Sequence, residues 1–294
     1  MVVQVANGIN RVKSIEKIGL IIRPNGYNLY RFYKKIKEKL LEYDCTLLVD
    51  SESAKILNVE GLNFDKLCRQ SDLIISLGGD GTLISVSRRS YIYNKPILGI
   101  NVGKLGFLVD VEVRELESFL DKLFRGEYRI DKRMVLEVIF NRKNSKEKRA
   151  IAFNDVVFSR PMVSGMVDLK AYIDGTLFNN YYGDGLIVST PTGSTAYNLS
   201  SGGPVVFPLT EALILTPLCS HSLTQRPLIL PANFKVMIKS DDEVLISLDG
   251  QEFYNISEYD SIEVKMAKNS VKLIHRLERN YFSVLREKLK WGDA

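Results

Sequence analysis

The stretch Asp72–Thr82 (DLIISLGGDGT) decides how the first part of the chain folds. Its apolar run lacks the alternation of a half-exposed strand, which marks a strand buried on both faces, as in the middle of a parallel sheet. Two glycines and an aspartate end the run, and Thr82–Ser90 beyond them has helical composition. A strand that turns through glycines into a helix puts the turn at the carboxyl edge of a sheet, where open α/β folds bind ligands. On either side the same alternation recurs. Lys17–Ile22 (KIGLII), Cys45–Val49 and Pro96–Ile100 (PILGI) read as further strands. Leu29, Phe32, Ile36 and Leu40, after a turn at Pro24–Gly26, predict a helix with one buried face, and Phe64–Arg69 and Val113–Phe124 predict two more. Residues 1–125 are therefore expected to form an α/β domain of Rossmann-like type with a parallel sheet.

From Tyr128 the period changes to two, with Met134, Leu136, Val138 and Phe140 on one face and turn residues at short intervals. Residues 126–277 are expected to form an all-β domain, with Asn141–Lys148 (NRKNSKEK) as an exposed hairpin tip. Helical spacing returns at Phe282, Leu285 and Leu289, so residues 278–294 are expected to pack back on the first domain.

Composition agrees with two ordinary domains. The 294 residues carry 40 Lys+Arg against 35 Asp+Glu, a formal charge of +5 that is spread rather than clustered, which excludes a nucleic-acid-binding face. With 45% hydrophobic and 26% charged residues the chain is neither disordered nor fibrous. Cys45, Cys68 and Cys219 are too far apart for a disulfide framework or a zinc ribbon, and His221 and His275 are too few for a His-rich metal site. The first residues lack a secretory pattern and no run is apolar enough to span a membrane, so a cytoplasmic protein without membrane partners is expected.

Six stretches are candidates for carrying chemistry. Backbone amides at Gly78-Gly79-Asp80-Gly81-Thr82 can approach a phosphate closely, and the following helix N-terminus favours an anion. Asp80 would repel that phosphate, which points to removing a proton from an attacking hydroxyl or to holding Mg²⁺; an Asp-Gly turn before a helix is the plain alternative. No Walker A lysine follows. In Asn101–Asp110 (NVGKLGFLVD), Lys104 reads as a solvated side chain. Asn154-Asp155 interrupts an apolar strand, and buried polar groups need partners. Ribose hydroxyls would serve, as would a bulge at the sheet rim. Asp184-Gly185 precedes a buried strand and then Ser189–Gly203 (STPTGSTAYNLSSGG), a polar, uncharged loop suited to hydrogen-bonding a ligand. Asp249-Gly250-Gln251 alone reads as a hairpin turn, and His221 as structural.

Taken together, GGDGT, FNDVV, DGLIVSTPTGSTAYNLSSGGP, HSLTQRPL and DGQ resemble the NAD kinases in order and approximate spacing, from about Ile18 to the C-terminal YFSVLREKLKWG. The resemblance implies transfer of the γ-phosphoryl of ATP, or of polyphosphate, to the adenosine ribose 2′-hydroxyl of NAD, giving NADP. It implies Asp80 as proton acceptor, with Gly79 and Gly81 in the nucleotide loop. Asn154, Asp155, Asp184, Thr195, Ala196, Tyr197, Asn198, Ser200 and Gln251 are implied as substrate contacts. A divalent cation, Mg²⁺ or Mn²⁺, is expected to be held mainly by the nucleotide, since no cluster of protein ligands is visible. A homo-oligomer, dimer or tetramer, is also implied. Tyr182, Gly165, Asp110 and Ser220 depart from the usual family residues; an aromatic Tyr182 can still stack on a ring.

Two other readings use the same motifs. Lipid kinases of the diacylglycerol type share a GGDG loop but need an apolar cleft, which a hydroxyl-rich loop does not supply. A non-catalytic NAD-sensing module is the third.

Overall fold

The computed structural model describes residues 14–23, 28–103, 106–142, 146–161 and 165–292. The first residues, the turn at Pro24–Gly26, Lys104 and the 143–145 hairpin tip lie outside the described residues. In chain order the strands are β1 (Lys17–Ile22), β2 (Thr46–Val49), β3 (Leu73–Gly78), β4 (Pro96–Asn101), β5 (Val111–Glu112), β6 (Tyr128–Arg133), β7 (Leu136–Asn141), β8 (Lys148–Ala152) and β9 (Asp155–Ser159). They continue with β10 (Val167–Ile173), β11 (Thr176–Gly183), β12 (Gly185–Ser189), β13 (Ala212–Leu218), β14 (Leu228–Pro231), β15 (Lys235–Lys239), β16 (Leu245–Leu248), β17 (Glu252–Asn255), β18 (Ser261–Met266) and β19 (Val271–Arg276). Two compact units result, Met1–Lys132 with Val271–Ala294, and Arg133–Ser270.

In the first unit one sheet runs β2-β1-β3-β4-β19-β6, with β5 beside β4. β1, β2, β3, β4 and β19 pair in parallel. Every residue of β3 is buried between its neighbours, which is why its sequence is apolar without alternation. The unit also takes in β6 and β19, two strands that the period-two reading assigns to the β-rich part. The helix Leu29–Leu41 buries Leu29, Tyr33, Ile36 and Leu40. Tyr33 is buried on that face as well, and Phe32, half buried, packs against the same core. A further helix, Ser51–Leu57, is invisible to periodicity at its length; the Asp50 carboxylate accepts from the Glu52 and Ser53 amides to start it, and Asn58 ends it at φ 53. Among the described residues no helix is long and apolar enough to cross a membrane.

The second unit is a sandwich of two antiparallel sheets, β11-β10-β15-β18-β7-β8 and β14-β13-β12-β9-β16-β17. Met134, Leu136, Val138 and Phe140 join one core with Val156, Phe158, Leu186 and Val188 of the opposite sheet, as alternation predicts. β12 is buried on both faces, since Ile187 packs with Val157 and Leu218 on its other side.

Candidate active site

In the first unit the chain leaves β3 at Gly78 and enters the helix Asp80–Ser90 directly, so the helix begins at Asp80, two residues before the expected Thr82. An Asp in the first turn complements the helix dipole. The reasons for the glycines differ. A Cβ at Gly78 would collide with Thr82, whereas at Gly79 or Gly81 it would meet nothing within 4 Å. Neither Gly79 nor Gly81 is there for internal packing; without a Cβ, each lets an anion come close to the helix N-terminus. Opposite Gly78 in register stands Asn101 at the end of β4, which sequence reasoning passed over. It is buried; its Oδ1 accepts from the Gly103 amide at 3.0 Å, while Nδ2 has no partner among the described residues.

The Asp80 carboxylate is turned toward the segment after β4. The amides of Phe107 and Leu108 donate to Oδ2 at 2.7 and 3.2 Å, and that of Val109 donates to Oδ1 at 3.1 Å. A Cβ on Gly106 would run into this carboxylate. The glycine of GFLVD therefore clears space for Asp80, and the next three residues supply the donors. Oδ1 shares Leu108 only at 3.3 Å and so retains capacity to accept a further proton donor.

In the second unit a carboxylate that the sequence reading treats as a turn residue holds the Asn154-Asp155 doublet, and the STPTGSTAY loop bonds to the carbonyls of Phe153 and Asn154. Asp249, at φ 52, accepts from the amides of Phe153 (2.8 Å), Asn154 (2.7 Å) and Asp155 (3.0 Å) and returns its own amide to the Asp155 carbonyl at 3.1 Å. The DGQ turn thus fixes the backbone of the Asn-Asp doublet. Asn154 is buried, and its Oδ1 has no partner among the described residues. Burial, and then the nearby charge of Asp249, pushes the Asp155 carboxyl up to about 7.

The Asp155 shift has a sign that can be tested. An acid raised in the folded state contributes stability that is complete below about pH 4 and is lost as the pH climbs through about 7. Asp155→Asn is therefore expected to match wild type near pH 4 and to exceed it at pH 8 by up to about 4 kcal/mol, read from denaturant midpoints across that range. A difference independent of pH would contradict a neutral buried Asp155.

Most of the hydroxyls in the polar loop hold the loop itself. Ser189 Oγ donates to the Asn154 carbonyl at 3.1 Å, Thr190 Oγ1 to that of Phe153 at 2.9 Å and Ser194 Oγ to that of Pro191 at 2.7 Å. A Cβ on Gly193 would stand 2.6 Å from the Asn154 carbonyl carbon, so the loop can lie this close only with glycine there. Asn198 is wholly buried. It donates to the carbonyls of Ser194 and Pro204, both at 3.1 Å, and accepts from Thr216 Oγ1 at 2.6 Å. Its side chain works as a fastener of the loop rather than as an open ligand contact. Thr195, Ala196, Tyr197 and Ser200 reach solvent, Tyr197 with half its surface exposed, as do Leu199, Ser201 and Gly202. Asn198→Ala is expected to lower stability by about 2–3 kcal/mol, seen as an earlier urea midpoint; a change below about 0.5 kcal/mol would contradict the fastening role.

Asp184 lies at the junction of β11 and β12, where its amide donates to the Leu218 carbonyl at 3.0 Å and its carboxylate pairs with Arg160 at 3.3 Å. Gln251 is exposed in the turn after β16. Tyr182 is half exposed and meets the His221 ring edge-on at 5.8 Å, so the aromatic contact at this departure is with His221.

Comparison with known proteins agrees with this organisation. Residues 18–128 match the ATP-NAD kinase N-terminal domain, and residues 153–276 match the ATP-NAD kinase C-terminal domain. An NAD kinase of Sulfurimonas denitrificans is 48% identical over 282 residues, 96% of this chain and 99% of the relative. One from Campylobacter jejuni is 47% identical over 281 residues, 96% and 98% of the two chains. Among solved structures, yeast NADH kinase complexed with NADH shares the fold at a TM-score of 0.88, with 24% identity over 95% of this chain and 89% of that one. An NAD kinase from Archaeoglobus fulgidus in complex with ATP has a TM-score of 0.73, with 22% identity over 93% and 98%. An α/β unit with a glycine-aspartate turn at its sheet edge, joined to a β-sandwich, is here the framework of a phosphotransferase. The chain belongs to the NAD kinase family.

Proposed function

We propose that this protein transfers the γ-phosphoryl of ATP to the 2′-hydroxyl of the adenosine ribose of NAD, with Asp80 as the proton acceptor. A bond forms between the 2′-oxygen and the γ-phosphorus, the bond from that phosphorus to the β–γ bridging oxygen breaks, ADP leaves and the hydroxyl proton passes to Asp80. Phosphoryl transfer depends on alignment and charge stabilisation more than on covalent help from the protein, so a fixed carboxylate with acceptor capacity to spare suits the task. The observation that carries the reading is Asp80 itself, held by three amides at the carboxyl edge of the sheet with Oδ1 still able to accept.

In the second unit Asn154 Oδ1 supplies a buried acceptor that lacks a donor, which a ribose hydroxyl would provide. Asp155 supplies a second acceptor beside it. Thr195, Ala196, Tyr197, Ser200, Asp184 and Gln251 are proposed as further contacts to the dinucleotide, and Gly79 and Gly81 as backbone contacts to the ATP phosphates. Among the described residues no three His, Cys, Asp or Glu side chains converge as metal ligands. The Mg²⁺ or Mn²⁺ that accompanies ATP is proposed to be held mainly by the nucleotide and water. A homo-oligomer is proposed as well: β11 is an edge strand on which Leu177 and Phe178 are exposed.

The experiment is to incubate the purified protein with Mg-ATP and either NAD or diacylglycerol, with polyphosphate as a separate donor. NADP as product supports the proposal. Phosphorylated lipid, or saturable NAD binding without product, would overturn it.

A further inference from the structure

Asp80 does not fix its own position; the Phe107–Val109 segment does, and that segment belongs to no strand or helix. What holds it is a buried arginine from the far end of the chain. Arg279 Nη1 donates to the Leu108 carbonyl at 2.9 Å, and Nη2 donates to the Phe107 carbonyl. The Phe107 carbonyl belongs to the same peptide group as the Leu108 amide, and the Leu108 carbonyl to the same group as the Val109 amide. In a trans peptide these C=O and N–H bonds point in opposite directions. Two successive peptide planes are therefore gripped by the guanidinium on one side and by the Asp80 carboxylate on the other. Rotating either plane loses a bond at both ends.

Arg279 is itself held. Its Nη1 lies 3.3 Å from Asp110 Oδ2, and its side chain is 3% exposed. Asp110 Oδ1 lies 3.2 Å from Nδ1 of His275 on β19, and His275 Nε2 faces Asp131 at 3.6 Å. Burial opposes ionisation of Asp110, but the His275 and Arg279 contacts outweigh it and hold the carboxyl down at about 2. Burial, with the Arg279 charge, lowers His275, and its Nδ1 also lies 3.2 Å from Arg279 Nη1, so the ring touches both members of the Asp110–Arg279 pair. Asp110 fixes the guanidinium and His275 fixes Asp110.

We infer that Arg279, braced by Asp110 and His275, is a positioning residue that sets the Phe107–Val109 amides and through them the orientation of the Asp80 carboxylate. The inference rests on the reading of Asp80 as proton acceptor and adds to it the residue that aims the acceptor.

The test is a double-mutant cycle of Arg279→Met with Asp80→Asn in the full-length protein. In the Asp80 background Arg279→Met is expected to lower kcat by about 10–100-fold, the scale of a misplaced catalytic group, with KM for NAD within about 3-fold of wild type. In the Asp80→Asn background the same change is expected to alter the residual kcat by less than about 2-fold, because there is no carboxylate left to aim. Equal losses in both backgrounds, or wild-type kcat in Arg279→Met, would overturn the inference while leaving Asp80 as base. Near wild-type turnover of Asp80→Asn alone would remove the base and the inference together. If Arg279→Met shows no cooperative melting, Arg279→Lys takes its place in the cycle; it keeps a cation beside Asp110 but replaces the two-nitrogen fork that holds the two carbonyls with a single nitrogen. A second readout needs no activity: amide hydrogen exchange at Leu108 and Val109 is expected to be faster in Arg279→Lys, and unchanged exchange would overturn the inference.

Discussion

Asp80→Asn is expected to lower kcat by about 10²–10⁴-fold while NAD affinity stays within about 3-fold of wild type. The substitution keeps the shape of the side chain but replaces an oxygen with an NH₂ group. That group can only donate, and it would face the Phe107 or the Val109 amide, which also donates. The side chain must then swing away from the cradle or leave an amide unsatisfied, a cost of about 1–3 kcal/mol that a thermal melt reads separately from catalysis. Activity and stability thus fall for different reasons. Titration with NAD distinguishes them, because the proposed ribose contacts are on Asn154 and Asp155 in the other unit. Turnover near that of wild type would remove Asp80 from the role of base.

The second large effect is expected at Asp249, which touches no substrate in the proposed scheme. Asp249→Ala withdraws the acceptor for three consecutive amides and places alanine at φ 52, a conformation that asparagine tolerates far better. Stability is expected to fall by about 2–4 kcal/mol, and KM for NAD to rise by about 10–100-fold as the Asn154-Asp155 backbone loses its anchor. Asp249→Asn is expected to be intermediate, since its oxygen can serve the Asn154 and Asp155 amides while its NH₂ opposes that of Phe153. It also removes the charge that helps to raise Asp155, so the pH at which Asp155 ionises should move downward. Loss of stability in Asp249→Ala with unchanged KM for NAD would reduce Asp249 to a structural turn residue.

These two carboxylates illustrate what a linear reading contains. Asp80 is legible because its neighbours in sequence are its context: a buried strand before it, glycines around it and a helix after it. Its partners at Phe107–Val109 are 27 to 29 residues away, and Arg279 lies 171 and 172 residues beyond the carbonyls it holds. No periodicity links such positions. Asp249 carries the plain signature of a turn, and it is one, but the amides it collects lie 94 to 96 residues earlier. The hydroxyl-rich loop is readable as polar and uncharged. Composition alone could not separate Ser189, Thr190, Ser194 and Asn198, which hold the loop in shape, from Thr195, Tyr197 and Ser200, which face outward. Strand identity was likewise legible where burial is complete, as in β3, whereas the sheet that β6 and β19 join depends on chain crossing rather than on their residues.

The most direct measurement is a crystal structure of the protein with NAD and a non-hydrolysable ATP analogue bound together. An Asp80 carboxylate oxygen is expected within about 2.6–3.2 Å of the adenosine ribose 2′-oxygen, on the side away from the γ-phosphorus. A carboxylate still committed wholly to the Phe107–Val109 amides, with the 2′-hydroxyl out of its reach, would contradict the account.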